Sequence, residues 1–303
     1  MESRAAGGSV NKQRKWLIVA LCLLPVVAAV VVLAIQNAQG EESLFGARRI
    51  GLVRIEDVIV ESEEYVRQLH TLAEDESVAG IVLRLNSPGG AVSASQEVYH
   101  EVLRVRDKGK PVVVSMGNVA ASGAYYIACA SDRIFASAGT LTGSIGVIMR
   151  LSHVYRLFDK VGIEVESIKT GEFKNTGTPF REMRPDEREY LQQLIDDTYE
   201  QFLEHVSAGR EIPIDSLRPL AEGQVFTGRQ ALREGLIDTL GGLRDALLYA
   251  KATTGVGEDA KVIEPGRRVP PWLEPLMARI WLGRKLLDNV LYGGGIYYLY
   301  DAG

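Results

Sequence analysis

The 303-residue sequence is poor in the residue types on which several kinds of functional site depend. It has 2 cysteines, too few for a disulfide-stapled scaffold or a zinc site of four cysteines. Its net charge of −5 gives no basic excess for gripping the phosphates of a nucleic acid. The sequence also lacks an HExxH motif, a GxSxG elbow and a Walker loop. We therefore expect no metal ion, no organic cofactor and no nucleic-acid partner.

Histidine is equally scarce, with 4 in the whole chain. His70, His100 and His205 fall on predicted helices, and His153 lies near the start of another. None of them lies in a glycine-rich loop. We therefore interpret all four as surface or packing residues, and a Ser-His-Asp triad is poorly supported.

What the sequence does contain is one long apolar run, residues 16–35, without a charged side chain. A helix of about 20 residues spans about 30 Å, the hydrocarbon thickness of a bilayer. A buried core helix is one alternative, and a cleaved signal peptide is another. A signal peptide has a shorter apolar stretch and a small-residue cleavage site. Residues 36–40 make a poor cleavage site, so the run predicts an uncleaved transmembrane anchor.

Charge divides the chain into regions that face different surroundings. Lys12, Arg14 and Lys15 precede the apolar run, which places the N-terminus in the cytoplasm and the rest of the chain outside. The body of the chain is acidic and the last 39 residues are mildly basic. We expect five regions: a basic N-terminus (1–15), an anchor (16–35), a linker (36–48), an extracytoplasmic domain (49–264) and a tail (265–303).

Hydrophobic periodicity in the extracytoplasmic region alternates between strands and helices. Strands are predicted at residues 49–60, 78–85, 111–116, 132–136, 163–168 and 260–263. Helices are predicted at residues 63–76, 95–108, 123–130, 152–161 and 185–208, with short helices over 214–255. This alternation is typical of an α/β domain.

The tail has a different composition from the domain before it. Its apolar residues are interrupted by Arg279, Arg284 and Lys285, so it does not span a membrane. An amphipathic helix lying on a lipid surface is one interpretation. A flexible or self-docking tail is the other, and the sequence leaves both open.

Three loops that follow predicted strands carry the residues capable of chemistry, and in open α/β sheets sites gather at such strand ends. The first loop, residues 86–90, ends in Gly89 and Gly90, whose backbone N–H groups are free to approach an oxyanion. A simple turn explains the same residues.

The second loop, residues 120–126, surrounds Ser122 with small side chains, which suits a nucleophile but also a helix N-cap. The third places Lys174 between Gly171 and Gly177. A lysine there is a solvated surface charge unless its pKa falls from about 10.4 to roughly 7–8, as a general base requires. Only burial or a neighbouring cation could lower it so far.

Together these loops resemble the signal peptide peptidase A family, membrane-anchored Ser-Lys proteases of the crotonase/ClpP-like superfamily. The resemblance covers residues 50–250 and rests on the stretches 86–95, 120–126, 141–146, 171–180 and 223–242. It implies an α/β, crotonase/ClpP-like fold of repeated ββα units, here preceded by one transmembrane helix and in the family's single-domain form. It also implies that neither a metal nor a cofactor is used.

The resemblance assigns a role to five positions. It makes Ser122 the nucleophile, Lys174 the general base and Ser144 the residue that orients the lysine. The backbone N–H groups of Gly90 and Gly123 become the oxyanion hole. For Gly123 this agrees with the physics, because the amide after a nucleophile can point at the tetrahedral intermediate.

The resemblance also implies an assembly and a task. Relatives form rings, octameric in single-domain forms, in which each site pairs Ser122 of one protomer with Lys174 of its neighbour. The implied task is degradation of remnant signal peptides at a bacterial or archaeal cytoplasmic membrane, with peptides and membrane lipid as partners. In relatives the C-terminal segment is trimmed by the enzyme and can occupy its site. Two alternatives stay open: an acyl-CoA enzyme of the same fold and a non-catalytic, peptide-binding membrane scaffold.

Overall fold

The structure, a computed structural model, describes residues 48–266 and the backbone of residues 296–299. The predicted cytoplasmic segment, the anchor at residues 16–35 and most of the linker lie outside these residues. Within the described ranges no helix combines the length and apolarity needed to cross a bilayer. The described residues correspond mainly to the extracytoplasmic domain that the sequence predicts.

Eleven strands are described, numbered here along the chain. They are β1 Arg49–Glu56, β2 Val78–Ser87, β3 Gly89–Ala91, β4 Val112–Ala121, β5 Arg133–Ala136, β6 Leu141–Gly143, β7 Ile148–Met149, β8 Val225–Thr227, β9 Thr239–Leu240, β10 Val262–Ile263 and β11 Ile296–Leu299. The main sheet has the order β10-β1-β2-β4-β5-β9, and every pair along this path is parallel. β6 continues the sheet beside the end of β4, parallel to it, and pairs antiparallel with β8.

The described helices are numbered in the same way. They are α1 Glu63–Glu74, α2 Val92–Asp107, α3 Gly123–Ala128, α4 Tyr155–Val161, α5 Pro185–Arg210, α6 Ile214–Leu217, α7 Gly228–Arg233 and α8 Leu243–Thr254, with a 3₁₀ turn at Arg218–Leu220. Helices connect most of the parallel strands, as right-handed crossovers require. The α/β class predicted from the sequence is therefore confirmed.

Both faces of the main sheet are buried, which explains the nearly continuous apolar strands. Ile50 and Leu52 of β1 lie on one face and pack with Ala246 and Ala250 of α8 in a small core. Val53, one residue further on, belongs to the larger core on the other face, which α1, α2, α3 and α5 cover. This period of two sets which helix each strand residue meets.

The sequence predicted the longest helix well but one strand wrongly. A helix is observed at Pro185–Arg210, with its proline in the first turn where no backbone donor is lost. Residues 163–168, predicted as a strand, belong to none of the described helices or strands. Ile163, Val165 and Ile168 are 48%, 45% and 97% exposed. Their β-branched side chains mimic a strand, but no described strand lies beside them to share hydrogen bonds.

The loop prediction for residues 86–90 needs a smaller correction. Gly89–Ala91 forms the short strand β3, outside the main sheet. A second strand missed from the sequence is β11, which pairs antiparallel with β3 on one side and β7 on the other. Glycine-rich and very short strands lack the periodicity from which strands are predicted, because only backbone pairing defines them.

A buried ion pair ties the end of α5 to the sheet. The Arg210 side chain, 8% exposed, donates 2.8 and 3.1 Å hydrogen bonds to the two carboxylate oxygens of Asp238. Asp238 also accepts a 2.7 Å hydrogen bond from the Ile134 amide in β5. One carboxylate thus satisfies a guanidinium and a strand amide together.

Removing this carboxylate should destabilise the domain strongly. Because Asp238→Ala leaves the Arg210 guanidinium buried without a counter-charge, we expect the free energy of unfolding to fall by about 3 kcal/mol. Denaturant unfolding followed by circular dichroism measures the change. Asp259→Ala, at an exposed site, is the matched control and should change stability by less than about 0.5 kcal/mol. Equal stability of the two variants would contradict the assigned role.

Candidate active site

Ser122 lies at the junction between β4 and α3, directly after the strand ends. Its backbone has φ 53° and ψ −117°, a conformation that residues with a side chain rarely adopt. The Ser122 amide donates a 2.7 Å hydrogen bond to the carbonyl of Gly143, and its carbonyl accepts one from the Tyr126 amide. The surrounding structure therefore holds a strained backbone at this position.

The Ser122 hydroxyl is buried but makes no hydrogen bond within the described part of the chain. The residue is 1% exposed, and its side chain does not cap α3. The N-cap interpretation of the sequence therefore does not describe this serine. A buried polar atom without a partner is uncommon in folded proteins and calls for a functional explanation.

Ser144 is placed beside Ser122 by strand register. β4 and β6 run parallel with Ala121 opposite Gly143, so the two serines each follow a paired residue. Ser144 also has a positive φ, 50°, and its amide donates a 2.9 Å hydrogen bond to the Gln224 carbonyl. The sequence motif around β8 therefore has a structural use, since that strand supports the turn carrying Ser144.

Gly90 lies where only glycine fits. A Cβ atom there would stand 1.9 Å from the carbonyl oxygen of Ile59. The next amide, of Ala91, donates a 2.7 Å hydrogen bond to that same carbonyl. Because successive amides of a strand point to opposite sides, the Gly90 N–H points away from Ile59. β3 also packs against α3, so Gly90 and Gly123 lie on neighbouring elements.

Asn86 has a role that the sequence analysis did not assign. Its side-chain oxygen accepts hydrogen bonds from the amides of Asn118, at 2.9 Å, and Val119, at 3.4 Å. The pairing of β2 with β4 is irregular at this point, between Leu85 and Ser87. The Asn86 amide group therefore holds the last residues of β4 in place, four residues before Ser122. The sequence feature that could have indicated this role is the amide side chain directly after the predicted buried strand at residues 78–85.

No histidine bonds to the Ser122 hydroxyl within the described residues. His205 of α5 packs instead against Tyr126, whose hydroxyl lies 2.6 Å from the His205 Nδ1 atom. Burial lowers the pKa of His205, and His100 nearby lowers it further. This histidine is a packing residue, as the sequence predicted. In the described ranges no group of three or more His, Cys, Asp or Glu side chains could hold a metal ion.

Lys174 lies in an exposed turn before α5. The turn is bounded by Gly171 and Gly177, with φ of 74° and 78°, which explains the glycines on either side. Since the Ser122 oxygen has no partner among the described residues, the lysine of the same chain does not bond to it. The structure thus brings Ser122, Ser144, Gly90 and Gly123 together but not Lys174.

A cleft of about 680 Å³ opens beside Ser144. Ile148 and Met149 of β7 form one wall, and Ile195 and Tyr199 of α5 form another. Asp196, Glu222 and Arg150 also line it, so the cleft has apolar walls and charged groups.

The strand β11 from the tail pairs with β3 and β7, the two short strands beside these elements. Tyr297 stands opposite Ala91, and Tyr298 stands opposite Gly90. On its other edge Ile296 pairs with Met149. A backbone segment from the end of the chain therefore lies beside Gly90, a residue that the resemblance places in the oxyanion hole.

Comparison with known proteins agrees with the fold. The sequence model of peptidase family S49 matches residues 104–257, which include Ser122, Ser144 and Lys174. The model of the Clp protease family matches residues 39–140. Both families have peptide-bond cleavage in common.

Three individual relatives also carry protease or peptidase names. A Methanocaldococcus jannaschii protein named "Putative protease" is 34% identical over 293 residues, 91% of this chain and 94% of that protein. An Enterococcus faecium protein named "Putative signal peptide peptidase SppA" is 33% identical over 75% of this chain and 64% of its own length. "Protease 4" of Haemophilus influenzae is 34% identical over 71% of this chain but 36% of its own. This chain therefore belongs to peptidase family S49 and is a serine endopeptidase.

Proposed function

We propose that this endopeptidase is anchored in a bacterial or archaeal cytoplasmic membrane by residues 16–35 and degrades remnant signal peptides outside it. Ser122 is the nucleophile, and Lys174 of a neighbouring protomer is the general base. Ser144 orients the lysine, and the Gly90 and Gly123 amides bind the oxyanion. The observation that carries the proposal is the buried hydroxyl of Ser122, which lacks a hydrogen-bond partner in the described residues.

That hydroxyl suits a nucleophile because no group of the described chain occupies it by a hydrogen bond. Its backbone is fixed at both ends, by the bond to Gly143 and by the Tyr126 amide. Its neighbours along the chain, Ala121 and Gly123, have small side chains, which would limit crowding of a peptide carbonyl. A serine held in this way needs only a base to take its proton.

Two amides have suitable positions to stabilise the negative charge that develops on the carbonyl oxygen. Gly123 is the first residue of α3, and the first amides of a helix have no intrahelical acceptor. The Gly90 amide points away from Ile59, on the edge of β3. Amides preorganised in this way lower a reaction barrier by several kcal/mol, about 3 for a single donor.

The base must come from another chain in this proposal. Lys174 is exposed in the single chain, whereas a general base has to be desolvated and within hydrogen-bond reach. The segment that carries it also exposes apolar side chains, which a neighbouring protomer would cover. They are Leu157, Val161, Ile163, Val165, Ile168, Phe173 and Phe180, each between 40% and 97% exposed. Such a concentration on one segment is typical of an interface.

A ring of protomers, octameric by resemblance, would bring Lys174 to the serine of a neighbour and would also cover the exposed apolar side chains. A heterologous contact repeated around a closed ring gives every protomer one donor and one acceptor surface. The cleft beside Ser144 offers a place for the neighbour's turn, because its apolar walls from β7 and α5 would shield Lys174 from water. There the Ser144 hydroxyl would hydrogen-bond the lysine amine.

The strand β11 suggests how the substrate binds. It is an extended segment whose backbone pairs antiparallel with strands on both sides. Added strands of this kind obtain affinity from main-chain hydrogen bonds and selectivity from pockets for alternate side chains. We propose that a substrate peptide takes the same position. Signal peptides are apolar, so in an extended conformation they would suit such a site.

The reaction then follows in two stages. Neutral Lys174 accepts the Ser122 proton while Oγ attacks the scissile carbonyl, and the oxyanion is held by the Gly90 and Gly123 amides. The lysine donates that proton to the leaving amine, which leaves an acyl-enzyme. Water, deprotonated by the same lysine, attacks the ester, and the lysine returns that proton to Ser122 Oγ as the second product leaves.

Removal of either member of the dyad should abolish cleavage. In the detergent-solubilised assembly, Ser122→Ala and Lys174→Ala should each reduce cleavage of a synthetic signal peptide by roughly 10³-fold or more. Mass spectrometry of the products measures the rate and the cut sites. Ser216→Ala and Lys261→Ala, both at exposed sites, are the matched controls and should cut like the wild type.

Full activity of Lys174→Ala would exclude this lysine as the base. An assembled wild type that leaves every peptide intact, both with and without residues 267–303, would favour the scaffold alternative. Turnover of an acyl-CoA thioester in place of peptide would favour the acyl-CoA alternative.

The sharing of the dyad makes a prediction of its own. Ser122→Ala and Lys174→Ala protomers, inactive separately, should regain activity when they are co-assembled, because a Lys174→Ala protomer supplies the serine and its neighbour the lysine. Random equal mixing in a closed ring should restore about one quarter of the sites. Peptide cleavage and sedimentation velocity measure the result. An active monomer, or mixed rings without activity, would contradict a shared site.

The tail should be a substrate of the enzyme if β11 marks the substrate position. We expect intact-mass spectrometry to show C-terminal residues missing from the wild type and retained in Ser122→Ala. Ser216→Ala, with the catalytic serine present, should be trimmed like the wild type. A complete C-terminus in all three proteins would exclude self-processing.

A further inference from the structure

Glu187, in the first turn of α5, is the most fully enclosed carboxylate near the Lys174 turn. It is 0% exposed, although it carries a charge and lies on a helix whose neighbouring positions face solvent. Arg181 donates to both of its oxygens, one at 2.8 Å, and the Arg184 amide donates to it at 3.1 Å. The hydrogen bonds from Arg181 lower the pKa of Glu187 to about 2, so the group is anionic at neutral pH.

These partners connect the carboxylate to the residues that follow Lys174. The same Arg181 guanidinium donates a 3.2 Å hydrogen bond to the side-chain oxygen of Asn175. The Thr176 hydroxyl makes a longer contact, 3.4 Å, with Glu187 itself. The two residues next to Lys174 along the chain are thereby fastened to one buried anion.

The residue before Lys174 is held by rings in the same region. The Phe173 ring packs on Tyr190 of α5, with centroids 5.2 Å apart. The Arg184 guanidinium lies 5.8 Å from the Phe173 centroid and 3.5 Å from a Glu187 oxygen. The turn is therefore attached to α5 on both sides of the lysine, while the lysine remains exposed.

From this arrangement we infer that Glu187 is a positioning residue, which holds the Lys174 turn in the shape that presents the lysine to a neighbouring Ser122. The inference rests on the proposed function, because it takes Lys174 to be the base. A base must lie within hydrogen-bond reach of the proton it accepts, and a misplacement of about 1 Å can cost 10²-fold in rate. A turn that protrudes from its own protomer needs such an anchor.

A purely structural role for Glu187 makes different predictions. The bond from the Arg184 amide is half of a capping box, which would stabilise α5 without concern for the lysine. Loss of a cap lowers stability and the amount of folded enzyme, and leaves the rate per assembled site unchanged. Loss of positioning misplaces the lysine, so kcat per assembled site falls and the turn exchanges faster although the enzyme is folded.

The test uses the full-length assembly in detergent with two variants and one control. Glu187→Gln keeps the size of the side chain and removes the charge. Asn175→Ala breaks only the link next to the lysine and leaves the cap intact. Glu200→Gln is the matched control, since Glu200 lies on α5 and pairs with Arg218 at 2.8 Å far along the helix. Signal-peptide cleavage at pH 7 per assembled site, and amide hydrogen exchange of residues 171–178, are measured for each.

We expect Glu187→Gln to reduce kcat per assembled site at pH 7 by at least tenfold with KM within twofold, and to speed exchange in the turn. Asn175→Ala should do the same more weakly, and Glu200→Gln should match the wild type. An unchanged kcat per assembled site, or unchanged exchange in both variants, would overturn the inference. A Lys174→Ala control that retains activity would refute the proposed function instead, and the exchange data would still decide whether Glu187 anchors the turn.

Discussion

The hydrogen bond from the Ser122 amide to the Gly143 carbonyl is the contact on which the site depends. It joins the ends of two parallel strands, β4 and β6, and so sets where Ser122 and Ser144 stand relative to each other. It also helps to keep Ser122 at a positive φ that a serine would not choose. Strand register, backbone strain and burial therefore all affect Ser122. Its hydroxyl makes no hydrogen bond within the described chain.

The proposed general base, Lys174, is positioned differently from the proposed nucleophile. In the proposed site, Ser122 follows a strand of the doubly covered sheet and the oxyanion donors lie beside it on β3 and α3, whereas Lys174 belongs to an exposed turn supported by α5. A site divided in this way would separate folding from activity. Each protomer could reach its folded state with its serine unactivated, and the reactive pair would form only where two protomers meet. For a protease this would avoid damage to newly made chains.

Much of the fold could be predicted from the sequence. Strands of a parallel sheet that is buried on both faces have long runs of apolar residues, and such runs are easy to recognise. The helix at 185–208 could be predicted from its proline start and its periodicity. The structure of residues 163–168 could not be predicted, because β-branched residues that face solvent have the same sequence pattern as a strand. The three loops located Ser122 and Lys174 as candidates, yet burial of the serine and exposure of the lysine are tertiary facts. Glu187 had no sequence signal at all, since an acidic residue in the first turn of a helix is ordinary.

The position of β11 has a consequence for solubility as well. Strands β3 and β7 are short and lie outside the main sheet, and without a neighbour their backbone donors and acceptors would face outward as open edges. Open edges attract further strands and promote aggregation. By lying between them, β11 pairs one edge of each strand and joins the two into a three-stranded sheet. A protein that gives up this strand must keep the edges occupied by other peptides or shield them inside an assembly.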